Sequence, residues 1–466
     1  MKKTILSLML MVAFLPPFTA FGQSSIYHVP TQTGDTTIVR EWQEGYYVTY
    51  NREPHCFSLH IPWSTTLLTI PVPDDDLVRD FRILGDSIFA GGSHVTGGLN
   101  IGFLACFSIY DFFNGAGTFK GGYYQPTPMP DDWSTIPFNN LITNIRRLTL
   151  FKDEHGIKVA FIADNAILDN SGVVYERVGL GSAQWDGSLW DTTPLLYNKH
   201  GIEEFTDIIA TDNFVVAVSR TIDSSLLNIR TFDIHSFLPN SSLQPYWINT
   251  YRQCVNDQKV IGKVMATPVS GDMFEVVYHY EKQQEFGVAI KEFTIGSWGW
   301  LNYSQGANIP ISGGTSSSWE MRDVRYLPDH NYIAALQHVY APLSGNPENI
   351  VHFYDQGNLP SYFGRYLSGY KLHALDKLGN DKFITTGHHL GSLHIYTENP
   401  NCWSSCGSYD FSWGYKVTNI KIYNYRMPGS MNSPVPPPIS VIITTFEENK
   451  DLDCEHIRKQ ENAENK

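Results

Sequence analysis

Apolar and polar residues alternate with a period of two along most of the chain, which predicts strands. One short segment recurs: an apolar residue, a variable residue, Asp or Asn, and a second apolar residue, often followed by a basic one. Its copies begin at Val78, Ile142, Phe205, Met321 and Val417, and looser copies begin at Ile261 and Tyr370. A unit that returns roughly every 50 to 60 residues predicts a radial or solenoid array.

Each repeat has the same internal order. After the recurrent segment come a turn with Asp, Asn or Gly and a more apolar strand, as in Asp86–Gly92 and Asn213–Val218. Asn and Asp tolerate the left-handed conformations of tight hairpins. A third strand often ends in an aromatic residue and Asp, as in Leu227–Asp233 and Val351–Asp355. Helical spacing of apolar residues is nearly absent outside the N-terminal segment.

These repeated hairpins, with a third strand ending aromatic-Asp, resemble the blades of a β-propeller over about residues 40–446. The resemblance is to exported bacterial propellers in general and to no functional family. It implies an all-β fold of about seven four-stranded antiparallel blades. We expect N-terminal strands, such as Tyr46–Tyr50, to form half a blade that C-terminal strands complete, because closure removes exposed sheet edges. Six or eight blades and a β-sandwich with insertions are the alternatives.

The N-terminus has the three regions of a secretory signal peptide: Lys2 and Lys3, an apolar run from Ile5 to Leu15, and small residues before Gln23. We expect cleavage after Gly22 and residence in the periplasm or outside the cell. The predicted divisions are a signal peptide (1–22), a β-propeller (23–446) and an acidic, disordered tail (447–466). No later stretch is long and apolar enough to span a bilayer, so we expect no membrane insertion of the mature chain.

The chain has 33 basic and 47 acidic residues and a net charge of −14. This balance argues against nucleic acid as a partner, because phosphate backbones are bound by clustered Lys and Arg. Six cysteines in an exported chain are compatible with three disulfides. The best single pair is Cys402 with Cys406, in a loop rich in Gly and Ser. The alternative is that several cysteines are buried thiols.

The recurrent Asp or Asn is the first candidate group: Asp80, Asn144, Asp207, Asp323 and Asn419. One hypothesis is a polar ring near a central channel, with Arg82, Arg146 and Arg325 nearby. The favoured interpretation is structural, with each side chain binding backbone amides between blades. A scaffold needs such a group in every blade, whereas a binding site needs its groups only once.

Histidines are the second candidates, because several follow the second strand of their repeats. They are His94, His279, His338, His388 and His389. Neutral imidazole binds transition metals, so a divalent metal is the one cofactor considered. The favoured interpretation is surface or inter-blade histidines, since the loops radiate and zinc ligands must lie about 2.0–2.1 Å from the ion.

Tryptophans in loops are the third candidates, because flat aromatic faces can stack on sugars and peptides. They are Trp185, Trp190, Trp298, Trp300, Trp319 and Trp403. The favoured alternative is packing between blades.

The sequence has no nucleophile elbow, no His-Glu-x-x-His and no phosphate-binding loop, so catalytic residues stay unknown. We therefore expect a scaffold that binds a protein, peptide or glycan on one face. The alternative is a polysaccharide hydrolase or lyase with carboxylates in the central channel.

Overall fold

The computed structural model describes most of residues 25–398, together with the short stretches 420–422 and 440–441. The larger gaps lie at 31–37, 62–66, 115–119, 124–139, 169–173, 186–189, 193–195, 198–202, 235–246, 253–257, 312–318 and 340–347. Shorter gaps separate other strands, and 298 is also outside the described part. The predicted signal peptide and acidic tail therefore lie outside the described residues.

Nearly every described element is a strand. The first half of the chain contains β1 Ser25–Pro30, β2 Ile38–Gln43, β3 Tyr46–Asn51, β4 Cys56–His60, β5 Leu67–Pro71, β6 Asp76–Leu84, β7 Ser87–Thr96, β8 Leu99–Ser108, β9 Lys120–Tyr123, β10 Asn140–Asp153, β11 Gly156–Leu168, β12 Val174–Trp185, β13 Trp190–Thr192, β14 Leu196–Tyr197, β15 Glu203–Ala210, β16 Phe214–Thr221 and β17 Leu227–Asp233.

The second half contains β18 Trp247–Arg252, β19 Lys259–Ser270, β20 Met273–Lys282, β21 Glu285–Ile295, β22 Leu301–Pro310, β23 Trp319–Leu327, β24 Tyr332–Val339, β25 Glu348–Asp355, β26 Tyr362–Ser368, β27 Lys371–Leu378, β28 Lys382–His389, β29 Ser392–Glu398, β30 Ile420–Ile422 and β31 Ser440–Val441. The helix α1, Asp111–Asn114, has four residues, and 3-10 turns span Pro328–His330 and Gln356–Asn358. No helix in the described part of the chain has the length and hydropathy needed to cross a bilayer.

These strands form seven sheets, and in each one consecutive strands are antiparallel neighbours. Five sheets follow chain order directly: β6 to β9, β10 to β13 with β14 beside β12, β15 to β18, β19 to β22, and β23 to β26. Short turns join the first two strands, as expected from the Asp, Asn and Gly residues there. The repeated sequence unit is therefore one antiparallel sheet.

The first strand of each sheet lies beside the first strands of two other sheets. The order of neighbours is β2, β6, β10, β15, β19, β23 and β27, and β27 also contacts β2. Apolar side chains fill the spaces between successive sheets, and one cluster joins β2–β5 to β6–β8 while another joins β15–β17 to β19–β21. A strand covered on both faces needs apolar residues throughout, which explains the run Phe214–Val218 in β16.

The recurrent segment is a bulged strand. Register shifts occur at this segment in β6, β10, β15, β19, β23 and β27. A bulge places an extra residue opposite a single partner and redirects nearby side chains. In β6 the extra residue is Arg79, and in β23 it is Arg322.

The chain ends are arranged differently from the expectation. Strands β2 to β5 are four strands of one sheet instead of half a blade, and this sheet continues into β30 and β31. The segment that begins at Val417 contributes β30, which pairs in parallel with the outer strand β5 and is followed by β31. The N-terminal β1 pairs with β29 and becomes the fourth strand beside β27 to β29. Both ends thus supply outer strands, which periodicity alone does not reveal.

Candidate functional site

Three recurrent aspartates bind backbone amides from two sheets at once. Asp80 Oδ1 accepts a hydrogen bond from the N–H of Phe81 at 3.0 Å, and Asp80 Oδ2 accepts one from the N–H of Leu148 in β10 at 3.1 Å. The same pair of bonds recurs at Asp207, with Ile208 and Ala266, and at Asp323, with Val324 and Leu375. Each carboxylate therefore joins its own first strand to the next one.

Arginines from neighbouring first strands cover the first of these carboxylates. Arg40 Nη2 lies 2.7 Å from Asp80 Oδ1, and Arg40 Nε donates to the carbonyl of Phe81 at 3.0 Å. Arg82 repeats this geometry one sheet further, with Nε 2.9 Å from the carbonyl of Leu148 and Nη2 3.4 Å from Asp80 Oδ2. The Asp80 side chain is completely buried, so both arginines compensate a charge that water does not reach.

A second group of charges lies on β23 and its neighbours. Arg325 Nη1 is 2.7 Å from Asp323 Oδ1, and Arg325 Nε is 2.6 Å from Asp376 Oδ1. Asp376 Oδ2 accepts a hydrogen bond from the N–H of Glu41 in β2 at 2.9 Å. Arg147 on β10 donates to the carbonyl of Arg322 on β23 at 3.3 Å, so it reaches a strand that is not its neighbour. The first strands thus surround one shared set of charges.

We call this set the central charge network. It consists of Arg40, Asp80, Arg82, Arg147, Asp207, Asp323, Arg325 and Asp376. Four guanidinium groups balance four carboxylates, so the network has no net formal charge. Buried charges persist in proteins when they are paired and hydrogen-bonded in this way.

Burial alone would raise the pKa of both Asp323 and Asp80. Arg325 and Arg40 outweigh burial at Asp323 and lower its pKa to about 2. Arg82 and Arg40 likewise hold the pKa of Asp80 below its usual value. At Asp207 burial dominates and raises the pKa, against the opposing charge of Arg147.

The arginine and amide partners of Asp80 and Asp323 determine what these two carboxylates can do chemically. Glycoside hydrolysis needs a carboxyl group that keeps its proton near neutral pH and touches substrate. Asp80 and Asp323 are ionised, buried and bound to both arginine and backbone amides. Their geometry joins sheets and does not supply a proton donor.

The residues at the bulges are more accessible than the network. We call them the bulge ring, and they are Arg79, Thr143, Arg146, Thr206, Lys263, Arg322 and His373. Arg79 and Arg146 are exposed, and the others are partly exposed. Thr206 Oγ1 donates to the carbonyl of Val264 at 2.7 Å and accepts from its N–H at 3.1 Å, so the bulges of β15 and β19 are in direct contact.

Two carboxylates serve the cations of this ring. Glu320 receives Lys263 Nζ at 3.0 Å on one oxygen and Arg322 Nη2 at 2.9 Å on the other. Asp164 receives Arg146 Nε at 2.5 Å. The ring is therefore a partly neutralised cationic surface around the start of the first strands.

Asn144 is placed differently from the recurrent aspartates. Its Nδ2 donates to Asp164 Oδ2 at 3.0 Å within its own sheet. Strand β10 has two register shifts, at Ile142/Asn144 and Ile145/Arg147, and the second lies between Asn144 and Arg147. Asn419 lies outside the described residues.

The predicted histidines belong to different sheets. His94 Nδ1 lies 2.6 Å from Asp76 Oδ1, and its side chain is 17% exposed. His338 is buried on β24. His388 and His389 occupy adjacent positions of β28, opposite Leu393 and Ser392 of β29. Among the described residues no three His, Cys, Asp or Glu side chains are grouped so as to hold a metal ion.

His279 belongs to a buried polar cluster. Its Nε2 lies 2.9 Å from Gln337 Oε1, and Gln337 Nε2 lies 2.9 Å from His352 Nδ1. Burial lowers the pKa of both His279 and His352 to about 4, so both are neutral at pH 7. This cluster joins β20 to β24 and β25.

The predicted tryptophans within the described part of the chain lie on or beside three different sheets. Trp185 and Trp190 are cross-strand partners on β12 and β13. Trp319 is half-buried and lies 6.1 Å from the ring of His279 and 6.2 Å from that of Phe286. Trp300 is 67% exposed in the turn between β21 and β22. Trp298 and Trp403 lie outside the described residues.

The predicted disulfide partners Cys402 and Cys406 lie outside the described residues as well. Cys56 and Cys106 are buried thiols. Cys56 Sγ contacts Ser58 Oγ at 3.7 Å, and burial raises the thiol pKa to about 11. Cys56 and Cys106 therefore form no disulfide within the described part of the chain.

One carboxylate pair remains outside the network. Glu275 and Glu292 are cross-strand partners on β20 and β21, and Gln356 Nε2 donates to both, at 2.7 and 2.9 Å. Burial, followed by the charge of Glu292, raises the pKa of Glu275 to about 8. Both residues are buried, so this pair binds the next sheet and does not face a substrate.

Sequence reasoning missed several residues at the centre, namely Arg40, Arg147 and Asp376. None of them stands at the expected place in a recurrent segment. Arg40 precedes the first recognised copy, Arg147 is displaced by the second bulge of β10, and Asp376 follows a copy that lacks Asp. A basic residue two positions after the Asp, as in Arg82 and Arg325, was the only available signal.

The repeated four-stranded sheets pack through their first strands around a shared centre. This arrangement defines the fold. The chain is a β-propeller. Among solved structures it is similar to the β-propeller domain of Cps50 (Swd1) from Myceliophteria thermophila, with a TM-score of 0.47, 9% identity, and coverage of 80% of this chain and 99% of the other. It is also similar to YCF48 from Cyanidioschyzon merolae, with a TM-score of 0.45, 10% identity, and coverage of 81% and 99%.

A third similar structure is Sqt1 from Chaetomium thermophilum, with a TM-score of 0.33, 12% identity, and coverage of 67% of this chain and 80% of the other. No protein-family model and no curated protein matches the sequence. The function must therefore be argued from this chain's own residues.

Proposed function

We propose that this protein is an exported, non-enzymatic scaffold that binds a protein, peptide or glycan on one face of a seven-bladed propeller. The closed circuit of first strands, from β2 through β27 and back to β2, supports this blade number. The expected signal peptide supports export.

One observation carries the proposal. The central carboxylates are occupied by internal partners, whereas the bulge ring around them exposes Arg79 and Arg146. A scaffold needs a rigid centre and an accessible surface, and the charge network and bulge ring provide these two parts. No cofactor is part of the proposal.

The catalytic alternative has no supporting geometry among the described residues. Asp80 and Asp323 are paired with arginine, and Glu275 is buried beneath Gln356. A hydrolase or lyase would need carboxyl groups that reach a bound sugar.

A binding screen coupled to product analysis tests the proposed function. The mature chain, residues 23–466, would be applied to a glycan array and a peptide array, and each ligand that binds would be analysed for cleavage. We expect saturable binding and intact ligands. Turnover of any glycan or peptide, or no binding to either array, would contradict the proposal.

A further inference from the structure

Strand β22, Leu301–Pro310, is the longest outermost strand in the described part of the chain. It has ten residues, and its sheet ends there, because among the described strands it pairs only with β21. The other outermost strands, β1, β9, β13, β18, β26 and β31, have between two and seven residues. A long outer strand offers its backbone N–H and C=O groups to another chain.

This strand has little protection against such pairing. Charged side chains commonly protect edge strands, and β26 has Arg365, β18 has Arg252 and β9 has Lys120. Strand β22 contains no Lys, Arg, Asp or Glu, and seven of its ten residues are exposed. A bulge at Ser304 interrupts its first half. The regular part, residues 305–310, is therefore an exposed and uncharged edge.

The ladder between β21 and β22 shows which backbone groups face outward. Ile311 N–H donates to the carbonyl of Phe286 at 2.8 Å, so these two residues form a hydrogen-bonded pair. Such pairs alternate along an antiparallel ladder, and Ile309 is therefore the next residue bonded to β21. Asn308 and Gly306 take the alternate positions, so their N–H and C=O groups point away from the sheet. No described residue makes a hydrogen bond to these outward groups.

Two other sheets of this chain are extended at their outer edges by a further strand. Strand β30 pairs with the outer strand β5, and β1 pairs with the outer strand β29. Both added strands come from parts of the chain that are distant in sequence. The outer edge of a sheet in this fold therefore accepts an additional strand.

We propose that β22 pairs with β22 of a second copy of this chain, antiparallel and edge to edge, to form a symmetric dimer. A pairing centred on Ala307 sets Gly306 of each copy opposite Asn308 of the other. Four backbone hydrogen bonds then use all the outward groups of both residues. Centring on Gly306 would include the bulge at Ser304, and centring on Asn308 would include Pro310, which has no N–H.

Charge and shape favour a second copy as the occupant. The chain has a net charge of −14, so two copies repel each other least where their contact surfaces are uncharged, as at β22. Gly306 and Ala307 are small and leave room for close approach at the two-fold axis. Tyr303 is exposed, and a Cβ atom at Gly306 would lie 2.7 Å from Tyr303 Oη. The Tyr303 ring therefore lies on the face where Asn308 of the other copy would stand.

The dimer contact is small. An edge-to-edge contact of this length belongs to the class that buries less than about 1,200 Å². We therefore expect a reversible dimer whose proportion rises with concentration. The inference is independent of the proposed function, because β22 is an outer strand whereas the bulge ring lies on the first strands.

Sedimentation velocity of the mature chain, residues 23–466, tests the dimer in reducing buffer at about 1 to 200 μM. The dimer fraction should rise over this range. Asn308→Pro removes one outward N–H from each copy and should weaken the dimer about tenfold or more. Proline is tolerated in an edge strand where the N–H faces outward, so the sheet itself should persist.

The matched control is Asn308→Ala. It keeps the outward N–H and removes the side-chain oxygen that accepts from Gln258 Nε2 at 3.3 Å. Its dimer should be within about twofold of the unaltered chain's. Hydrogen exchange gives a second measurement, since backbone amides of residues 301–311 should exchange more slowly at high concentration, and Asn308→Pro should abolish this slowing.

Thermal melting of each variant checks the fold, and Asn308→Lys replaces Asn308→Pro if the latter melts early. It places positive charges near the axis, on diagonal positions about 7–8 Å apart, so it should weaken the dimer severalfold and less so at high salt. Three results would overturn the inference: a monomer at every concentration, a dimer that Asn308→Pro or its replacement weakens no more than Asn308→Ala does, or unchanged exchange in residues 301–311.

Discussion

At the scale of single residues, the central feature is a carboxylate that serves two backbone amides and two arginines. Asp80 contacts Phe81, Leu148, Arg40 and Arg82 and is completely buried. Removing one partner of a buried ion pair leaves the others without compensation, and this costs more than an exposed pair ever contributes.

Asp80→Asn should therefore be strongly destabilising. The amide keeps one acceptor oxygen but turns an NH2 group toward backbone N–H donors and two arginines. We expect a loss of about 3 to 5 kcal/mol in the free energy of unfolding, measured by urea denaturation. Asp86→Asn, in the exposed turn after β6, is the control and should change stability little. Equal stability of the Asp80→Asn and unaltered chains would show that the network is not a stabilising unit.

A second residue-scale effect concerns Glu275, whose pKa is raised to about 8 mainly by burial. In the unfolded chain this group ionises near its ordinary value, whereas in the folded chain it stays protonated. The folded state therefore binds the extra proton, and stability is lost as pH rises from about 4.5 toward 8.

Glu275→Gln should remove this pH dependence. Between pH 5 and pH 7 we expect the unaltered chain to lose about 2 kcal/mol more stability than the variant. Urea denaturation at both pH values measures the difference. Glu281→Gln, near the end of the same strand, is the control and should follow the unaltered chain. Parallel pH profiles for Glu275→Gln and the unaltered chain would contradict the assignment.

At the scale of elements, the recurrent sequence segment corresponds to a bulge and not only to a strand. The sequence predicted its position in β6, β10, β15 and β23, where Asp or Asn and flanking apolar residues recur, and looser copies without Asp or Asn predicted it in β19 and β27. It did not predict the second bulge in β10, between Ile145 and Arg147, because no recurrent residue marks that position in the sequence.

Glycines set how closely neighbouring sheets approach. A Cβ atom at Gly91 of β7 would lie 2.8 Å from Ile145 Cγ2 of β10. This contact is too short, so the small residue permits the packing of the two sheets.

Gly91→Val should push these sheets apart. We expect about 2 kcal/mol or more of destabilisation, because extra carbon atoms in a packed core force its neighbours to move. Gly85→Asn is the control, since Gly85 has a φ of +58° with open space around it and Asn tolerates that conformation. The melting temperatures of the Gly91→Val and Gly85→Asn variants test this prediction. Similar values would show that the gap between the sheets can adapt.

At the scale of the whole molecule, the N-terminal strand completes the last sheet. All six residues of β1 pair with β29, from Ser25 with Thr397 to Pro30 with Ser392. Without β1, the edge of β29 would offer unpaired backbone groups to another chain.

Deleting residues 23–31 should therefore lower the melting temperature and promote aggregation, measured by calorimetry and light scattering. Deleting 447–466 is the control and should leave both unchanged if that stretch is the disordered tail expected from its composition. Unchanged aggregation after the first deletion would show that β1 does not protect this edge.

The sequence by itself determined the class of structure, because period-two alternation, turn residues and a recurrent segment all depend on local spacing. It also identified Asp80, Asp207 and Asp323 as candidates, because they occupy the same position in successive copies of the recurrent segment. Only the tertiary structure decided which charges meet. Arg40, Arg147 and Asp376 come from distant parts of the chain, and their pairing depends on how first strands pack around one centre. The same packing determined the outer strands β1 and β30.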